Sequence, residues 1–173
     1  MLFRSPLRAD KALVLGLPEA LAKNRGAVLS QFKTIRMEDV PTEAKVITFL
    51  QKTRREVNDF QHYKNHTHAL EVGVKLVYRE RSRKQGKDKL YVGFTYNVLE
   101  VTPDTFKIEE DGRPDVTFDL MRDKATSWFT YTYAGTGHSS QGSTYEGMVV
   151  IADTKCVRVT DEWLYAGSPV RAS

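Results

Sequence analysis

The stretch that decides the reading of this chain is YAGTGHSSQGSTYEGMVVIAD, residues 133–153. A β-like run feeds into a cluster of Gly, Ser and Thr, then a Gln-Gly pair, then a second apolar run that ends in an acid. A plain crossover needs one or two turn residues, not this many. Small residues let a backbone approach a ligand closely. Hydroxyls and free N–H groups at a helix start bind phosphate oxygens. Ser143-x-x-Glu146 has the form of a capping box, so a helix is expected to begin there. Physics alone leaves two readings: a loop that touches a polyanion, or a well-capped turn between buried strands.

Working outward, KVITFL (45–50) is a short, nearly continuous apolar run, the texture of a strand buried on both faces. The segment after it places Val57, Phe60 and Tyr63 at helical spacing. Strand then helix opens a parallel α/β unit. Near the N-terminus, DKALVLGLPEALAKN (10–24) has helical apolar spacing with Pro18 as a break. From residue 72 to about 125 the texture changes to short alternating strands: VGVKLVYRE, LYVGFTYNVLEVT, TFKIEEDG and DVTFDLMRD. Gly86, Pro103-Asp104 and Asp111-Gly112 supply the turn signals. The expectation is one α/β domain, residues 1–72 and 126–173, with a small antiparallel β-barrel inserted over 73–125. In SWFTYTYAGT, the residues Trp128, Phe129, Tyr131 and Tyr133 alternate as a strand should, leaving base stacking and core packing both open.

Composition sets limits. The chain has 173 residues, 40% apolar and 28% charged, which suits an ordinary globular domain. No apolar run approaches the roughly 20 residues of a membrane span, and the first residues lack a secretory core, so no membrane partner and an intracellular location are expected. The single cysteine, Cys156, excludes an internal disulfide and reads as a small buried side chain. Net charge is +4, but residues 75–89 hold seven Lys/Arg against Glu80 and Asp88, a local +5. Such a patch is either an electrostatic footprint for phosphates or a solvated hairpin tip. His62 and His66 share a helix face, with His68 and Asp59 near them in sequence. That set offers no clear metal ligation and reads as a polar helix end, so no metal site is assigned.

With those residues in place, the loop resembles motif V of superfamily 1 DNA helicases, in the branch with the pattern T-x-H-x-x-Q-G-S, and is most similar to helicase-like proteins of large DNA viruses. The resemblance extends along nearly the whole chain. KVITFLQKTRREVND is similar to the strand and helix that open the second RecA-like domain, with Gln51 where Asn is usual. FRSPLRADKAL resembles the Arg-bearing segment that precedes it. LYVGFTYNVLEV resembles a glycine-bearing strand of the small inserted barrel, with Gly93 in the glycine position. EWLYAGSPVRAS resembles motif VI, with one residue more than the family spacing between Tyr165 and Arg171 and with Pro169 between them. The motif G-x-x-x-x-G-K-[ST] does not occur in the sequence; in the family it belongs to the first RecA-like domain.

The resemblance implies roles. By it, Thr136, His138 and Ser139 would face single-stranded DNA phosphates; Ser143 of the same loop and, from their charge rather than the resemblance, Arg79, Arg81, Arg83 and Lys84 are further expected DNA contacts. Gln141 and Gly142 would couple that contact to the nucleotide. Arg171, with Arg4 or Arg8, would approach the γ-phosphate and stabilise charge in phosphoryl transfer. ATP and Mg²⁺ would be bound only together with a first RecA-like domain, in cis or in trans, and the isolated chain is expected to hydrolyse nothing. The function implied is the C-terminal motor domain of a superfamily 1 helicase. The alternative is a free-standing helicase-derived protein that binds nucleic acid, or serves as a structural or interaction module, without ATPase activity.

Overall fold

Lys45–Thr48 becomes β3, and its three buried residues Val46, Ile47 and Thr48 show why the run is continuous rather than alternating. It lies between two parallel neighbours and is covered on both faces. The computed structural model of the chain describes residues 2–5, 23–24, 30, 33–80, 89–140, 147–156 and 158–160. Apart from Lys23 and Asn24, which are helical, the helix expected over 10–24 lies outside them.

The described residues group into two compact units, one of Met1–Val57 with Tyr133–Ser173, the other of Asn58–Thr132. The boundary on one side falls inside a helix, α1 (Gln51–Asn65), and on the other between two short strands. The first unit carries a five-stranded mixed sheet. Its strands are β1 (Leu2–Ser5), β2 (Lys33–Arg36), β3, β9 (Ala134–Thr136) and β10 (Val149–Ile151), in the order β2-β1-β10-β3-β9. The three strands β10, β3 and β9 run parallel, with Val150 beside Val46 and Ile47 beside Gly135. The pair β1 and β2 is added antiparallel at the β10 side. Val40, Ala44, Val46, Val57, Ala134, Val150 and Ala152 form this unit's core. Cys156, expected to be buried, is half-buried.

The second unit is a five-stranded antiparallel sheet built from β4 (Lys75–Tyr78), β5 (Thr95–Val101), β6 (Thr105–Glu110), β7 (Arg113–Met121) and β8 (Phe129–Tyr131). Alternation is visible in β6, where Phe106, Ile108 and Glu110 point inward. The Asp111-Gly112 turn holds Gly112 at φ 82°, and the register shifts between Glu109 and Glu110, a bulged hairpin end. Tyr96, Val98, Phe106, Ile108 and Phe129 are the buried centre of its core.

Three expectations are corrected. The inserted sheet is not a closed barrel: its order is β7-β6-β5-β4-β8, and no pairing joins β7 to β8 among the described residues. The run SWFTYTYAGT is not one strand. Trp128 ends a short helix, α2 (Lys124–Trp128), β8 pairs with β4 in the second sheet, and β9 pairs with β3 in the first. The helical stripe of Val57, Phe60 and Tyr63 is also not the buried one, because Phe60 and Tyr63 are 37% and 55% exposed. Val57, Asn58, Gln61 and His62 are buried instead. Two of these polar groups have visible hydrogen-bond partners: Asn58 Nδ2 donates to Thr130 Oγ1 at 3.4 Å, and His62 Nε2 donates to the His68 carbonyl at 2.7 Å.

Candidate nucleic-acid interface

The loop rich in Gly, Ser and Thr begins where β9 ends, at the carboxyl ends of the parallel strands. In open α/β sheets that edge is where ligands bind. Thr136 closes β9 and starts α3 (Gly137–Ser140). Its hydroxyl accepts the N–H of Ser139 at 3.3 Å, which is N-capping by a Thr. Ser139 Oγ completes the turn: it accepts the Thr136 N–H at 3.0 Å and the Thr136 hydroxyl at 3.1 Å, and donates to the Thr136 carbonyl at 3.0 Å. Both hydroxyl hydrogens are thus used inside the turn. Ser139 itself is exposed. His138 lies between them on α3.

Next to this turn, Thr48 at the end of β3 is fully buried and its hydroxyl donates to Gly135 O at 3.3 Å. On the other side of β3, β10 runs into Ala152 and Asp153. Asp153 has φ 60°, the left-handed region, which Asp tolerates better than most residues. Its carboxylate reaches the entry to α1: Oδ2 accepts the N–H groups of Phe49 and Leu50 at 3.0 and 2.9 Å, and Oδ1 accepts the Thr53 hydroxyl at 2.7 Å. Three donors at the start of α1 are satisfied by an acid from another strand, where negative charge is favoured. The only sequence signal for this role was the acid that closes an apolar strand.

The sequence-derived residues fall into three groups. The structure brings Thr136, His138 and Ser139 together on one turn. Gln141, Gly142, Ser143 and the Ser143-x-x-Glu146 box lie outside the described residues, as do Arg8, Arg81, Arg83, Lys84 and Arg171. Arg4 is described by its backbone only, paired with Thr34 and Ile151 in the first sheet. Arg79 follows β4 in the second unit, with its N–H on Trp128 O at 2.7 Å. Burial lowers the Arg79 guanidinium pKa, and its Nε has no hydrogen-bond partner among the described residues.

The histidine cluster is a stack and a cap. His62 lies between two rings, with Tyr131 at 3.9 Å and His66 at 4.7 Å between centroids. The carbonyl partner at Nε2 requires the hydrogen on that nitrogen. Burial pushes the His62 pKa down. Glu71 accepts the N–H groups of His68 and Thr67 at 2.6 and 2.8 Å, and His66 Nδ1 stands 3.2 Å from its other oxygen. The His68 N–H, then the His66 side chain, hold its carboxyl below the usual range. Among the described residues no group of three His, Cys, Asp or Glu converges on a metal-sized point, and no helix is long and apolar enough to cross a membrane.

No protein-family model matches the sequence, and no curated protein matches it. Solved structures do. A structure of two coordinating Pif1 helicases, concerned with DNA unwinding at forked dsDNA, superposes with a TM-score of 0.61 at 12% identity, covering 92% of this chain and 44% of that one. Bacteroides Pif1 bound to ssDNA superposes with a TM-score of 0.51 at 13% identity, covering 74% of this chain and 38% of that one. The chain therefore spans less than half the length of either helicase. At this level of identity the likeness is one of fold, which in this chain is a parallel strand set with a separate antiparallel sheet.

Proposed function

We propose that this chain is the second RecA-like domain of a superfamily 1 DNA helicase, of the kind found in large DNA viruses, and that it binds single-stranded DNA. The observation that carries the reading is the position of the Thr136 and Ser139 turn. It stands at the carboxyl ends of the parallel strands, in a fold shared with a helicase solved on ssDNA. In this reading the unit that carries the parallel strands supplies the motor fold, and the antiparallel sheet that includes β8 is the insertion.

The chemistry follows from the turn. Ser139 is exposed, and its hydroxyl hydrogen sits on the Thr136 carbonyl. Turning that hydrogen to a phosphate oxygen exchanges a neutral hydrogen bond for a stronger charge-assisted one. Thr136 keeps the turn in shape through the Ser139 N–H. His138 and Ser143 add phosphate contacts, and Gln141 and Gly142 relay the state of the strand to the nucleotide. Arg171 and either Arg4 or Arg8 reach the γ-phosphate when a first RecA-like domain supplies the phosphate loop. ATP with Mg²⁺ would provide the free energy of translocation. In this reading the nucleotide site is shared with that domain, in cis or in trans.

Fluorescence anisotropy with a labelled oligonucleotide, together with steady-state ATP turnover, tests the proposal. The expected result is weak, salt-sensitive binding to single strands without sequence preference, and turnover at background with or without DNA. A folded sample that binds no oligonucleotide at low salt overturns the DNA reading and favours an interaction module. Robust DNA-stimulated hydrolysis by the chain alone overturns the shared-site reading.

A further inference from the structure

The strand β9 is a weak root for the turn that follows it. It is three residues long, and among the described residues β3 is its one neighbour in the sheet. The turn itself, α3, has four residues. The bonds between Thr136 and Ser139 give it a shape but do not fix it to the sheet. A helix this short has little stability of its own. Its place is set by whatever holds the end of β9 to β3.

Two side chains do this. Thr48, the last residue of β3, stands beside Thr136 in the register and is fully buried. Its hydroxyl donates at 3.3 Å to Gly135 O, the carbonyl just ahead of Thr136. A valine would fill the same space without a hydroxyl to desolvate, so the bond to Gly135 is what the threonine adds. The end of β3 is fixed in turn from its other side. Asp153 Oδ2 accepts the N–H groups of Phe49 and Leu50, the two residues after Thr48, at 3.0 and 2.9 Å. The Ala152 N–H donates to Ile47 O at 2.8 Å. The ties form one line across the carboxyl ends of three parallel strands: Asp153 joins β10 to the end of β3, and Thr48 joins β3 to β9.

We propose that Thr48 and Asp153 are positioning residues for the single-strand contact, acting through the end of β9 to hold Ser139 Oγ where a phosphate oxygen can reach it. This rests on the reading of the chain as a single-strand binder, and adds to it a residue, Thr48, that is too deeply buried to touch DNA itself. The contact is then built on the sheet, and only its last atoms belong to the turn.

A double-mutant cycle tests this, read by anisotropy with labelled oligo(dT). Thr48→Val keeps the shape and removes the hydroxyl. It is expected to weaken binding roughly two- to tenfold, the worth of one hydrogen bond, and Thr48→Ser, which keeps the hydroxyl, to restore the affinity. In a Ser139→Ala background the atom that Thr48 positions is gone, so Thr48→Val is expected to cost nothing further. Equal losses in both backgrounds would mean a general loosening of the fold. No loss in either would mean that the turn keeps its place without Thr48. Either result overturns the proposal and leaves the single-strand reading standing. Circular dichroism verifies folding. Should Thr48→Val not fold, Asp153→Asn takes its place in the cycle, with a loss expected in the wild-type background and none in Ser139→Ala; equal losses again overturn the proposal. A folded wild-type chain that binds no oligo(dT) at low salt overturns both the proposal and the reading beneath it.

Discussion

Asp153 and Thr53 lie 100 positions apart in sequence, yet the Thr53 hydroxyl donates to the Asp153 carboxylate at 2.7 Å. The same carboxylate holds the Phe49 and Leu50 N–H groups. One acid thus joins the end of β10 to the entry of α1, and so holds the carboxyl edge of the parallel strands where the Thr136 turn sits. Hydrogen bonds to a charged group contribute about 1.5–3 kcal/mol each, and the three share one carboxylate. Asp153→Ala is expected to cost about 2–4 kcal/mol, and Asp153→Asn, which keeps one acceptor oxygen, less. Urea midpoints measure both; an Ala variant as stable as wild type would show that water replaces the carboxylate without loss.

The second unit has its own key residue. Phe106 is fully buried among Tyr96, Ile108 and Phe129, with the Phe129 ring 6.0 Å away edge-on. Phe106→Ala should cost about 3–5 kcal/mol through reduced burial and a cavity, whereas Phe60→Ala, on the exposed face of α1, should cost far less. A matched pair of urea titrations distinguishes them.

Stability should fall on mild acidification. Burial lowers the His62 pKa, while the unfolded His titrates near about 6.5. A depressed pKa contributes stability that is complete above the unfolded value. It is lost as pH falls through that value toward the folded one, because the unfolded chain gains a proton that the folded His62 refuses. Glu71, held down first by the His68 N–H and then by His66, adds a second loss below about pH 4.3. Urea midpoints between pH 8 and 4 should therefore decline in two steps. His62→Gln should remove the upper step while leaving the lower; an unchanged upper step would exclude His62 as its source.

The two charge classes of the proposed DNA surfaces should separate in a salt titration. Changing Arg81, Arg83 and Lys84 to Ala should reduce the slope of log K against log salt by roughly 0.7 for each single-strand phosphate that is no longer neutralised. His138→Ala should weaken binding with little change in slope at a pH where that ring is neutral. Equal slopes for the triple variant and wild type would remove the basic segment from the interface.

The sequence by itself determined the local elements. The nearly continuous apolar run gave the strand Lys45–Thr48, covered on both faces, because Val46 and Ile47 are apolar and the Thr48 hydroxyl is satisfied by Gly135 O. Alternation over 105–110 gave β6, and Asp111-Gly112 gave its hairpin end, because pleating and a positive φ are local requirements. The cluster of small and hydroxyl residues at 136–140 marked the turn after a strand, because a Thr cap needs only its own neighbours. Tertiary structure alone decided the partners. Periodicity placed Phe60 and Tyr63 on a helix face with Val57 but could not say which face is covered. The buried face carries Asn58, Gln61 and His62, because Thr130 and the His68 carbonyl are there to pair with two of them. The aromatic run 128–133 looked like one strand, but Phe129 pairs with Tyr78 in one sheet, while the next strand, from Ala134, pairs with Val46 in the other. Strand pairing and the reach of Asp153 to Thr53 depend on residues far away in the chain, and no local pattern records them.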